Sequence, residues 1–156
     1  MTDARFSDAD GRALRLWATD AEDLQVISAL VQDAVLTGGD MRWIAGERQL
    51  ALLVNRVRRE AGAGTGAQRV RAVLIASGVT HVRGQEIVPG DGDTVLSLLA
   101  LEWVPGGGEE DPSGVLRLTF AGDGVVEAEA ECLDLRLHDV TAPYAAPSGR
   151  VPDHGE

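Results

Sequence analysis

Leu14 to Val35, LRLWATDAEDLQVISALVQDAV, holds the one convincing helix signal in the chain and the short strand (Leu14 to Trp17) that leads into it. Thr19 followed three residues later by Glu22 has the form of a capping box, in which each side chain satisfies an amide at the helix start. Asp20, Glu22 and Asp23 add negative charge at the positive end of the helix dipole. Leu24, Ile27, Val31, Ala34 and Val35 then recur at three-and-four spacing, with Leu30 flanking them, so the pattern predicts an amphipathic helix. Gly38 and Gly39 supply the expected stop, since glycine adopts the left-handed cap conformation at little cost.

Downstream the period changes from helix to strand. Met41 to Ala45 reads as a strand, Gly46-Glu47 as a turn, and Arg48 to Arg58 as a longer strand with apolar residues on both faces (Leu50, Leu52 and Val54 against Ala51, Leu53 and Val57), which predicts cover on two sides. Glu60 to Gln68 is a Gly/Ala-rich loop. Val70 to Ala76 and Val79 to Ile87 read as a hairpin joined at Ser77-Gly78. Thr94 to Val104 is read as a strand with Val95, Leu99, Leu101 and Trp103 on one side. Val115 to Phe120 alternates cleanly and leads into the hairpin signal Gly122-Asp123-Gly124. Val126, Ala128, Ala130 and Cys132 face inward opposite Glu127, Glu129 and Glu131. The phase then flips to Leu133, Leu135 and Leu137, so a bulge or bend is expected near Cys132.

The order strand, helix, then about seven strands gives an α+β fold: one N-terminal amphipathic helix on a strongly twisted, mostly antiparallel sheet of about eight strands. That number suffices to close much of a barrel, and open and closed forms stay as alternatives. A length of 156 residues fits one domain over 1–156, with 1–12 a loosely held start and 141–156 an extended Pro-rich tail.

Composition is that of a soluble globular protein, with 44% hydrophobic and 25% charged residues. No apolar run approaches the roughly 20 residues that span a bilayer, so a cytoplasmic location is the default. One cysteine, Cys132, excludes an internal disulfide framework. The net charge of −11 argues against nucleic acid and anionic membranes as partners of the whole molecule. The charge is uneven, however. All 14 basic residues are arginine, and eight of them (Arg42, Arg48, Arg56, Arg58, Arg59, Arg69, Arg71, Arg83) fall between Arg42 and Arg83 against Glu47 and Glu60 alone.

The segments Asp20 to Leu24, Val26 to Ala29 and Gln32 to Val35 form one group of familiar residues. With Asn55-Arg56, Thr94 to Leu99, and Glu131 to Gly149 they make the chain resemble an alphaproteobacterial domain-of-unknown-function family, DUF2948-like. The similarity covers nearly the whole chain. It implies a small, cytoplasmic, stand-alone bacterial protein without an assigned activity, and it transfers no catalytic residues.

Motifs that carry chemistry fare poorly. Gly62 to Ala67 imitates a dinucleotide fingerprint, but a strand follows it where a helix N-terminus is required. Asp91-Gly92-Asp93 lacks the later ligands of a calcium loop. Glu127, Glu129 and Glu131 are better read as a solvated strand face, or a ladder opposite arginines, than as a metal site. Cys132 reads as a small core residue. His81, His138 (expected to point outward) and His154 have no metal-ligand spacing, so neither a metal nor another cofactor is expected. Trp17, Trp43 and Trp103 read as core or sheet-edge packing.

What remains is a binding or accessory module, not an enzyme, working through a sheet face on a protein partner or on itself. Its concrete form is an anion-accepting patch of Arg56, Arg58 and Arg71. Pro143, Tyr144 and Pro147 make a second candidate, a segment that seals the sheet or docks on a partner. Two alternatives stand beside this reading. One is a small ligand-binding protein or enzyme with a pocket between helix and sheet, using carboxylates with His81 or His138. The other is a homodimer through an edge strand.

Overall fold

A computed structural model describes residues 13–58, 68–140 and 144–145. In chain order these form β1 (Arg15–Ala18), α1 (Ala21–Val31), β2 (Val35–Thr37), β3 (Met41–Ile44), β4 (Gln49–Val57), β5 (Gln68–Ser77), β6 (Val79–Gln85), β7 (Val95–Pro105), β8 (Gly114–Phe120), β9 (Val125–Ala130), β10 (Leu135–Asp139) and β11 (Tyr144–Ala145). The eleven strands make one sheet whose main path runs β1-β10-β5-β4-β2-β7-β8-β9-β6, with β3 on β4 and β11 on β5. Every pairing is antiparallel. The fold is thus sheet-rich with one helix. It has more strands than the eight or so expected, and the sheet is an open strip ending at β1 and β6.

The helix starts one residue later than the Thr19 box predicts. Asp20 is the cap, with extended backbone and a side-chain oxygen that accepts from the Asp23 amide at 2.8 Å. It also stops well before the glycines, because β7 captures the chain. Asp33 takes a left-handed φ of 68°, its amide donates to the Leu98 carbonyl at 2.7 Å, and the Leu98 amide donates back to Ala34 at 2.9 Å. Ala34 therefore leads into β2. Gly38 and Gly39 belong to a single 3-10 turn, Gly38–Asp40. Leu24, Ile27, Leu30 and Val31 of α1 are buried in one cluster with Leu50, Leu52 and Leu74 from one half of the strip and Leu116, Leu118 and Phe120 from the other.

The strip folds over this core at Gly78 (φ 73°). The hairpin expected there does not form. β5 pairs with β4, β10 and β11, while β6 pairs with β9. Gly78 instead turns a corner between the two halves, and the Val79 amide donates to the Arg48 carbonyl at 2.9 Å. The same corner explains the phase flip near Cys132. β9 lies in one half and β10 in the other, so the inward-facing set changes phase where the chain crosses over. Cys132 sits in that crossover and is exposed, not inward.

Two other faces differ from expectation. β7 shifts register between Leu98 and Ala100, a bulge that buries Leu98 and Leu101 while Val95 and Leu99 stand exposed. The outer face of β4 is uncovered, with Leu53 37% exposed. The β8–β9 turn at Gly122-Asp123 has the two positive φ values of a tight hairpin, 85° and 73°. The tail that was expected to lack regular structure adds β11, its Tyr144 opposite Arg69. Residues 1–12, most of the Gly/Ala-rich loop, Pro143, Pro147 and His154 lie outside the described residues.

Candidate functional site

Two outer faces of the strip carry opposite charge designs. On β6, β8 and β9 the charges are matched across strands. Register sets Arg83 opposite Glu127 and Arg117 opposite Glu127 and Glu102. Arg83 Nε donates to Glu127 at 3.0 Å and Arg117 Nε to its other oxygen at 2.9 Å. Arg83 also reaches Glu129 at 3.3 Å, and Arg48 pairs with Glu131 at 2.7 Å. Hydrogen bonds first from Arg117 and then from Arg83 hold the Glu127 carboxyl below the usual carboxylate range. The glutamate face is therefore the arginine-matched ladder, and among the described residues no group of side chains could hold a metal ion.

On the face formed by β1, β10, β5, β4 and β3 no arginine stands opposite a carboxylate in the strand register. Apart from the buried pair Arg56 and Asp139 its inward positions are apolar, among them Leu16, Leu137, Leu74, Leu52 and Met41, so alternation sends the intervening residues outward. Register arranges these in rows across the five strands. One row is Trp17, Arg136, Ile75, Ala51 and Arg42. The next is Arg15, His138, Val73 and Leu53, and beyond it Arg71 lies opposite Asn55 and Arg69 opposite Val57. Arg15, Arg42, Arg69, Arg71 and Arg136 thus project from strands that offer no carboxylate at any outward position. Asp134 stands just before β10. It accepts from Trp17 Nε1 at 2.8 Å and lies 3.8 Å from Arg136. Arg136 is itself held over the Trp17 ring at 4.8 Å.

Between these cations the floor is apolar, with Val73 and Ile75 half-buried and Leu53 and Ile44 exposed. His138 takes the field of the face. Burial first, then Arg15 and Arg136, push its imidazole below the ordinary histidine value. Arg15, Arg42 and Arg69 form no ion pair among the described residues.

The three arginines read together from the sequence separate here. Arg56 and Arg58 point inward at the end of the buried row of β4, whereas Arg71 stands on the outer face. Arg56 is fully buried and its guanidinium grips Asp139 in a bidentate pair, Nε to Oδ1 at 3.0 Å and Nη2 to Oδ2 at 2.8 Å. Asp139 also accepts from the Leu14 amide at 2.8 Å. The anion beside Arg56 is therefore one of the chain's own carboxylates. Arg58 donates to Gln68 at 2.8 Å.

Sequence reasoning missed Arg15, Arg42, Arg69 and Arg136 as members of one surface. Their phase was readable, since each alternates with an apolar neighbour, but the strand order that sets them side by side was not. Trp43 and Trp103 pack partly buried against the core, and Trp17 belongs to the cationic face. Open hollows indent the surface among the described residues. One, of about 310 Å³, lies by Thr80, Ser113 and Glu129. Another, of about 320 Å³, lies by Gly84, Ile87 and Asp91. Neither is lined by a residue of α1. No described helix is long and apolar enough to cross a membrane.

Fold and face together define a class: a sheet-rich protein with one helix and an open antiparallel strip, bearing an arginine-lined outer surface. The family model described as "Protein of unknown function (DUF2948)" matches residues 14–154, and the chain belongs to that family. No curated protein and no solved structure matches it.

Proposed function

We propose that this protein is a binding module that uses the outer face of β1, β10, β5, β4 and β3 to hold an acidic segment of a protein partner. One observation supports the reading: five arginines share that face with an apolar floor, on five strands that carry no outward carboxylate, in a chain of net charge −11. Charge complementarity of this kind steers association and sets partner choice, while arginine and aromatic residues are the side chains that most often anchor interfaces. The face spans about 19 Å across its five strands at ordinary strand spacing, enough for a short extended segment.

A protein segment suits the face better than nucleic acid. The molecule as a whole repels a polyanion at long range, and Leu53, Val73 and Ile75 offer apolar contact that a phosphate row does not use. The test is a titration with a labelled oligoglutamate peptide at low salt. Wild-type protein is expected to bind. Arg42→Glu with Arg69→Glu is expected to weaken binding at least tenfold, and Arg83→Glu on the matched face to change it little. A duplex DNA that bound more tightly than the peptide, or equal losses from both faces, would overturn the proposal.

A second reading has one specific observation behind it. β6 ends the open strip, and Thr80, His81, Arg83, Gly84 and Gln85 are exposed along it. A free edge invites pairing with another strand, so light scattering at rising concentration tests self-association through β6.

A further inference from the structure

Within the cationic face, and resting on its reading as a site for an acidic segment, we infer that Arg15, Arg136 and His138 form the seat for one carboxylate of that segment, with His138 taking up a proton as the carboxylate arrives. Register makes these residues a compact block. Arg15 lies directly opposite His138, and Trp17 directly opposite Arg136.

Arg136 is positioned from two sides, by the Trp17 ring at 4.8 Å and by Asp134 at 3.8 Å. At that distance the carboxylate of Asp134 balances charge without making a close hydrogen bond. Its stronger commitment is to Trp17 Nε1, at 2.8 Å. Arg15, on the edge strand, has no ion-pair partner among the described residues. The two guanidiniums therefore flank His138 as planar donors suited to a shared carboxylate.

Among the described residues, the strands around His138 bring the following side chains to its face. β1 contributes Arg15, β10 contributes Arg136, and β5 contributes Val73 with Arg71 next on its outer face. Asp139, adjacent in sequence, points the opposite way and is held by Arg56 in the core. Burial and the two arginines disfavour the imidazolium in the free protein. An incoming carboxylate cancels the repulsion and supplies an acceptor, so it favours the proton. Linkage is reciprocal: whatever raises the proton affinity of His138 on binding must strengthen binding as pH falls.

The experiment follows oligoglutamate binding to the full chain between about pH 5.5 and 7.5, a window in which glutamate stays ionised. Affinity of the wild-type protein is expected to rise severalfold toward the acid end, up to about tenfold if the histidine shifts by one unit. His138→Asn is expected to lose the pH slope, its affinity staying flat across the window. On the wild-type protein, the His138 ring resonance is expected to titrate at higher pH with peptide present than without it. This last reading needs no variant. Peptide binding with the same pH slope in both proteins, or an unmoved His138 titration, would overturn the seat while leaving the face intact. Absence of peptide binding at every pH would overturn both.

Discussion

Arg56 and Asp139 form a fully buried, bidentate ion pair that reaches across β5 to join β4 to β10. On β5 Ala72 lies opposite Asp139, and Val70 lies opposite Arg56. The small side chain of Ala72 leaves room for the guanidinium to reach across to the carboxylate. The pair also anchors the start of β1, because Asp139 accepts from the Leu14 amide while its own amide donates to the Leu14 carbonyl at 2.9 Å. A charge held this way is costly to strand alone and less costly to remove as a pair.

Removing one partner is accordingly expected to destabilise the fold strongly. Arg56→Met or Asp139→Leu alone should each cost about 3–5 kcal/mol, the usual range when a buried charge loses its counter-ion. The double substitution should cost clearly less than the sum, since the two residues are in contact. Urea unfolding midpoints of the three variants measure this. Strictly additive losses would show that the pair is not coupled.

The exposed ladder should behave differently. Arg83→Ala or Arg117→Ala is expected to cost no more than about 1 kcal/mol at neutral pH, as exposed ion pairs do. Glu127 carries the pH signature. Its folded-state carboxyl sits below the ordinary value because of Arg117 and Arg83, so its stabilisation is present above the ordinary carboxylate range. It is lost as pH falls through the depressed value. Glu127→Gln should therefore melt below wild type at pH 6, and the gap should close on acidification. Added salt should narrow the gap too.

Gly114 marks a place where two strands meet an indole. A Cβ there would lie 2.4 Å from the Val104 carbonyl oxygen and 2.7 Å from the Trp103 ring. Gly114→Ala is expected to destabilise by about 1–3 kcal/mol, the cost of overpacking a filled interior. Gly108→Ala, with nothing within 4 Å of the new Cβ, should be near neutral. Thermal melting of the two variants side by side tests the contrast.

Local alternation carried most of the strands into view from sequence alone. β8 and β9 follow their period-two pattern, and α1 buries Leu24, Ile27 and Val31 of the expected stripe together with the flanking Leu30. Misreadings fell where distant segments meet. Ser77-Gly78 has the composition of a hairpin turn, yet β4 and β10 flank β5 and leave no side for β6. The helix looked longer because Ala34 and Val35 keep its period, but Leu98, more than sixty residues away in the chain, takes their backbone into the sheet. Asp139 lies 83 positions from Arg56, so no local pattern could pair them. The cationic face was hidden for the same reason: its members come from five strands that only the fold sets side by side.

The most direct test of the account is to map backbone amide shifts of the full chain as an oligoglutamate peptide is titrated at low salt. The account predicts that the changes gather on β1, β10, β5, β4 and β3, centred on the rows of Arg136 and His138, and fade as salt is added. Changes centred instead on β6, β8 and β9, or spread evenly over the molecule, would contradict it.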